Sequence, residues 1–310
     1  MRKKLTFDEI TERISSLLSD DIELLKFLEA ASELSKVYEI NEEEEKRRLS
    51  EAKSFIEVAE NDFKSAKILY ESKVYSTAIY HLQQAVEKFI KAYMLMFFGL
   101  SKKVVKDYVG HDSPKAFLKL LEKFKISLNL ISALTERVYE LNSQMLKISS
   151  QDIRKLENIV NKNRKQIAEM SSEEIRNAIK LTVRLKEVLE NKETKDEVSK
   201  FLATLKRELG KIEASDEYER NIASKITTLL NKILENLELS FKMYSNFLVL
   251  YTLSIITYPH ATFARYPNER LPIEKYDENL GIIQCFGEIT DLLEGVINSW
   301  KESPRYRGRY

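Results

Sequence analysis

Residues that punctuate a chain, and residues that most often do chemistry, are both scarce in this sequence. Only seven Gly and five Pro are spread over 310 residues. So few turn-formers argue for long elements with few interruptions, which helices satisfy better than strands. Cys285 is the only cysteine, which excludes an internal disulfide framework and a Cys-rich zinc centre and fits a reducing, cytoplasmic setting. There are three histidines and no HExxH, no Glu-x-x-His pattern, no phosphate-binding Gly loop and no GxSxG, so the expectation is no metal and no cofactor. Net charge is also lacking. Fifty Lys and Arg nearly cancel 49 Asp and Glu, so no global field draws the chain to nucleic acid or an anionic membrane, and any such affinity must be local. The longest apolar run, Phe247 to Tyr258, is broken by Thr252 and Ser254 and is too short for a bilayer span. The opening "MRKKLTFDEI" is basic but leads into no apolar core, so it does not read as a signal peptide, and a soluble protein is expected.

What the chain does have is helical periodicity. Thr6 to about Glu39 reads as one or two short helices. Asn41 is suited to cap a helix whose acidic first turn, Glu42 to Glu45, meets the positive end of the dipole. Ala52, Phe55, Ile56, Ala59, Phe63, Ala66, Leu69 and Tyr70 then keep to one face, carrying that helix to about Ser72. After the turn "KVY", Ser76 is placed to cap a second helix ended by Gly99. At 100° per residue Leu82, Ala85, Val86, Phe89 and Ile90 form one arc, and His81, Gln83, Gln84, Glu87, Lys88 and Lys91 form the opposite one. Periodicity alone makes that second arc a solvated face. "VGHDSPKAFLKLLEKF" opens a third helix with Pro114 at its first position. From about Ile131 to Tyr258 long antiparallel helices are expected, with breaks near 149–152, 171–173, 191–196 and 210–216, where cap-forming residues cluster. "YPHATFARYPNERLPIEKYDEN" is the most loop-like stretch. Asp277 is placed to cap a last helix that buries Leu280, Ile283, Phe286, Ile289, Leu292, Leu293, Val296, Ile297 and Trp300, and the tail "SPRYRGRY" is basic and aromatic.

Together, "ENDFKSAKILYESKVYSTAIYHLQQAVEKFIKAYMLMFFG", the Gly-His turn of "VGHDSPKAFLKLLEKF" and the late "RYP" of "FARYPNERLPIEKYDENLGIIQCFGEITDLLEGVINSW" resemble the HEPN family. The resemblance covers roughly 50–125 and 240–300. It implies an all-α, up-and-down HEPN-like bundle interrupted by a long coiled-coil-like helical insertion. The segments expected are an N-terminal helical segment at 1–40, the first part of the bundle at 41–130, the insertion at 131–240, the second part at 241–300 and the basic tail at 301–310. It further implies a homodimer that binds a nucleotide or RNA and works beside a partner such as a nucleotidyltransferase, while the balanced charge and the short apolar run argue for no membrane association.

By the same resemblance, the nucleotide- or RNA-binding residues are His81, Gln84, Lys88, His111, Arg265 and Tyr266. Arg265 and Lys88 would hold phosphate, Tyr266 would stack on a base, and the histidines would bond ribose or phosphate. Each has a structural alternative: His111 as a helix cap, Arg265 paired with Glu87 or a helix C-terminus, Tyr266 in the core. Ribonucleases of the family carry Arg four to six residues before His, and no Arg stands there before His81, His111 or His260. The expectation is therefore a non-catalytic module. The alternatives are a metal-independent ribonuclease of toxin-antitoxin or antiviral type using the reversed pair His260 and Arg265, and a purely structural assembly protein.

Overall fold

The computed structural model describes residues 42–97, 164–209, 237–266 and 271–302, with 102, 105, 224, 227, 228, 231 and 234 singly. Within them lie α1 (Glu42–Glu71), α2 (Tyr75–Phe97), α3 (Arg164–Ala168), α4 (Ser172–Glu190), α5 (Lys192–Leu209), α6 (Leu237–Thr257), α7 (His260–Phe263), a 3-10 turn (Ile273–Lys275), α8 (Gly281–Gln284) and α9 (Phe286–Glu302). Among the described residues there is no strand, so the all-α expectation holds. They fall into two compact units, one made by 187–209 with 237–244, the other by 42–97, 164–186, 245–266 and 271–302. In the first, the Lys195 ammonium donates to Glu238 at 2.5 Å, joining α5 to the start of α6. The candidate residues that can be placed lie in the second.

The frame of that second unit is the α1–α2 hairpin. Ala52, Ala59 and Ala66 on α1 and Ala78, Ala85 and Ala92 on α2 are all fully buried. A seven-residue repeat keeps each set on one seam, and a methyl at every step lets the two backbones approach closely. The turn is short. Lys73 takes a positive φ of 60°, and the Val74 amide returns to the Leu69 carbonyl at 2.9 Å. The second helix starts two residues earlier than its expected cap allows: the Ala78 amide bonds the Val74 carbonyl at 3.0 Å, which puts Ser76 inside the first turn.

α9 and α6 close the bundle with large side chains. Tyr70 stacks on Phe286 with centroids 4.0 Å apart, and Trp300 meets Phe89 at 5.4 Å and Tyr93 at 5.5 Å. In α6 every residue from Val249 to Thr257 is buried. Its hydroxyls are satisfied within the fold, Thr257 bonding the Leu253 carbonyl at 2.8 Å, Ser254 that of Tyr251 at 2.7 Å, and Thr252 sharing a hydrogen bond with Thr182 of α4 at 2.7 Å. Such internal partners are what a core helix needs. Among the described residues no helix is long and apolar enough to cross a membrane.

Two expected breaks fall on described residues and appear there. Ser171 and Glu174 form a reciprocal capping box that starts α4. The Asn191 side chain accepts from the Glu193 amide at 2.7 Å to start α5. The last helix differs from expectation. Asp277 makes a local turn by accepting from the Asn279 amide, and the helix then divides at Cys285, whose backbone leaves the helical region. The cause is a close crossing: a Cβ on Gly281 would stand 2.1 Å from the Met170 carbonyl oxygen, and the Cys285 thiol donates to the Ser172 carbonyl. The α8 turn is thus pinned to the start of α4, while α9 follows the α1–α2 hairpin. The segments 1–40 and 303–310, the Gly99 cap, the Gly-His turn and its helix, and much of 131–240 lie outside the described residues.

Candidate functional site

The polar arc of α2 is not a solvated face. Gln83 is 1% exposed and Glu87 5%, because α2 lies inside the bundle and both of its arcs meet protein. Burying polar groups requires that they satisfy one another, and here they form a continuous chain. His81 Nδ1 lies 2.9 Å from Asp62 Oδ1, and the Lys88 ammonium donates to Asp62 Oδ2 at 2.7 Å and to Gln84 Oε1 at 3.0 Å. Gln84 Nε2 donates to Gln83 Oε1 at 2.7 Å, Gln83 Nε2 to Glu87 Oε2 at 3.1 Å, and the Lys91 ammonium to Glu87 Oε1 at 2.6 Å. Two carboxylates face two ammoniums, so the network carries little net charge.

Asp62 is the hub of this network. It comes from α1, bonds α2 residues seven positions apart, and is only 17% exposed at its side chain. An ionised carboxylate is an acceptor only, so Nδ1 of a neutral His81 bonded to it is the protonated nitrogen. Nε2, on the other side of a ring whose side chain is 29% exposed, then carries the lone pair.

A second group adjoins the first through Tyr80. The helical turn α7 brings Arg265, just beyond its end, to the α2 surface. The guanidinium carbon of Arg265 lies 5.6 Å from the Tyr80 ring centroid and 5.1 Å from that of Tyr266. The Tyr80 ring meets the His81 imidazole edge-on at 5.5 Å. Arg265 is exposed and Tyr266 is 52% exposed. Among the described residues no carboxylate pairs with Arg265, and Glu87, weighed as its partner, bonds Lys91 instead. This is a cation held between aromatic faces and left open to an anion.

Of the six nucleotide- or RNA-binding candidates, five are thus brought together: His81, Gln84 and Lys88 around Asp62, and Arg265 and Tyr266 beside Tyr80. His111 lies outside the described residues. Gln84 and Lys88 are engaged inward, while His81, Arg265 and Tyr266 face solvent. His260 is placed elsewhere. Expected on irregular backbone, it instead opens α7, because the Phe263 amide bonds the Pro259 carbonyl and the Ala264 amide bonds the His260 carbonyl. Its ring is 1% exposed, with Nδ1 2.7 Å from the Tyr276 hydroxyl. Burial pushes His260 down to about 3 and raises Tyr276, so both are neutral at ordinary pH.

Sequence reasoning missed Asp62 and Tyr80. Asp62 follows Ala59 by three and precedes Ala66 by four, so it borders the buried seam of α1. A carboxylate at the edge of an alanine seam, facing a helix with a Lys and a His seven apart, was the available signal. Among the described residues no group of three or more His, Cys, Asp or Glu side chains is placed to hold a metal ion.

Compared with known proteins, residues 52–192 match the model of the HEPN domain. The match spans α1 from Ala52, all of α2 and all of α4. It includes 131–192, which the sequence pattern assigned to the insertion, and ends before α6. No curated protein and no solved structure matches the chain significantly.

Proposed function

Because the chain carries a HEPN domain over residues 52–192, we propose that it is a non-catalytic nucleotide- or RNA-binding module whose ligand sits at Arg265, Tyr266 and His81. The carrying observation is the exposed Arg265 guanidinium, held between the Tyr80 and Tyr266 rings with no carboxylate partner among the described residues. A phosphate completes its charge, and a base stacks on the exposed face of Tyr266. Lys88 supports this surface from behind, its ammonium already bonded to Asp62 and Gln84. A homodimer and a nucleotidyltransferase-like partner belong to the same proposal.

The test is incubation of purified protein with a labelled mixed-sequence RNA in the absence of metal, read by filter binding and by gel, alongside Arg265→Ala. Binding of intact RNA that falls about tenfold in the variant is the expected result. Bound neither as RNA nor as free nucleotide, the ligand assignment falls. A ribonuclease reading has one observation in its favour, the carboxylate-bonded imidazole of His81 two rings away from Arg265. RNA cut by the wild type and left whole by Arg265→Ala would replace the binding module with that enzyme.

A further inference from the structure

We infer that the cleft between the α3–α4 turn and residues 271–281 is a binding site for a small zwitterion with an apolar side chain, an α-amino acid by chemical class. The cleft offers about 380 Å³, within the span of small-molecule pockets, on the order of 300–1,000 Å³. It shares no lining residue with the Arg265 and His81 surface. Its walls are fixed before any ligand arrives. On one side the capping box of Ser171 and Glu174 sets the turn into α4. On the other, Gly281 lies too close to the Met170 carbonyl for a Cβ to fit, and the buried Tyr276 hydroxyl is held by His260 at 2.7 Å. A chain anchored at both points leaves little to be ordered when a ligand binds.

The distribution of charge names the ligand class. Met170 and Leu271, 2% and 1% exposed, give the cleft an apolar lining. Its edge carries both signs, Lys275 on the one hand and Glu169 and Asp277 on the other, all exposed. Among the described residues Glu169 and Lys275 make no ion pair, and Asp277 uses only Oδ1, which accepts from the Asn279 amide at 2.8 Å. A purely anionic ligand would meet two carboxylates, and a purely cationic one would meet the ammonium. A molecule with an ammonium and a carboxylate on one carbon answers both signs, and its side chain covers Met170 and Leu271.

The probes that test this share one carbon skeleton: leucine, isoamylamine, which lacks the carboxylate, and isocaproate, which lacks the ammonium. Each is titrated into the full chain and read from the protein's amide shifts. Leucine is expected to bind with a Kd of about 1 mM or tighter, and isoamylamine and isocaproate about fivefold more weakly. The factor is modest because the charges stand at the solvent edge.

Lys275→Met should bring leucine down to the level of isoamylamine without weakening isoamylamine itself. Glu169→Gln combined with Asp277→Asn should bring leucine down to the level of isocaproate, and Asn at that position keeps the oxygen that accepts from the Asn279 amide, so the turn survives. Should either variant fold poorly, the ranking of the probes on the wild type decides alone. Unchanged leucine affinity in either folded variant overturns the inference. Equal binding of all the probes does the same, since the cleft would then be an apolar depression without charge recognition, and so does binding of none. The RNA-binding module stands or falls separately, by its own assay.

Discussion

The two described histidines stand in opposite environments, although both entered as site candidates, His81 for binding a nucleotide or RNA and His260 for the alternative ribonuclease pair. His260 sits in an almost water-free corner against one neutral phenol, Tyr276. His81 sits at the edge of a polar network, bonded to the Asp62 carboxylate and partly open to solvent. In the first place the surroundings penalise the charged ring, so the imidazole is a packing element with one hydrogen bond. In the second, the Asp62 carboxylate engages one ring nitrogen, and the side chain keeps part of its surface in water. Residue type does not distinguish the two; burial and the charge of the nearest oxygen do.

The contrast breaks most visibly at His260. Replacing it with Ala opens a cavity and leaves the buried Tyr276 hydroxyl without a partner, and urea melts should show a loss of about 3 kcal/mol. The next effect is the pH dependence of the same corner. The unfolded imidazole takes up a proton near its ordinary 6.5 and the folded one only at about 3. Between those values the unfolded state holds more protons, so stability is full above 6.5 and falls with acid by up to about 1.4 kcal/mol per pH unit. The double variant His260→Phe with Tyr276→Phe removes both polar partners, and its melts should lack that component of the slope. An unchanged slope would mean that His260 is not held neutral by the fold.

The His81 side of the comparison predicts smaller stability changes. Asp62→Ala leaves Lys88 and His81 without their shared acceptor, but both reach water, so a loss of about 1 kcal/mol is expected by denaturant melt. A loss as large as that of His260→Ala would make the network part of the core. The smallest change belongs to Arg265→Ala, an exposed residue outside any ion pair of the described residues. Its melting midpoint should match the wild type within about 0.5 kcal/mol, while RNA retention on filters drops. A variant that unfolds would show that the guanidinium holds α7 to α2 rather than serving a ligand.

The correspondence between sequence and structure follows the range of the forces. The α1–α2 hairpin, the apolar arc of α2, the α4 and α5 starts and the buried side of α9 were legible because periodicity and caps act within a few residues. The polar arc was misread as solvated, since periodicity reports that polar residues share a face but not what lies against it. The break between α8 and α9 was invisible for a related reason. Gly281 reads as a helix residue until the backbone of Met170 to Ser172, over a hundred positions earlier, is found against it.

By itself, then, the sequence determined an all-α chain, the placement of its main described helices and a set of candidates of which five lie on described residues. The hydrophobic period and the scarcity of turn-formers suffice for the first two, and a resemblance supplied the third. Only the tertiary structure decided that Asp62 joins His81 to Lys88, that Tyr80 carries Arg265 to their side, and that His260 is withdrawn from solvent. Those outcomes depend on which groups from distant segments share the same few ångströms, and on whether water is left between them.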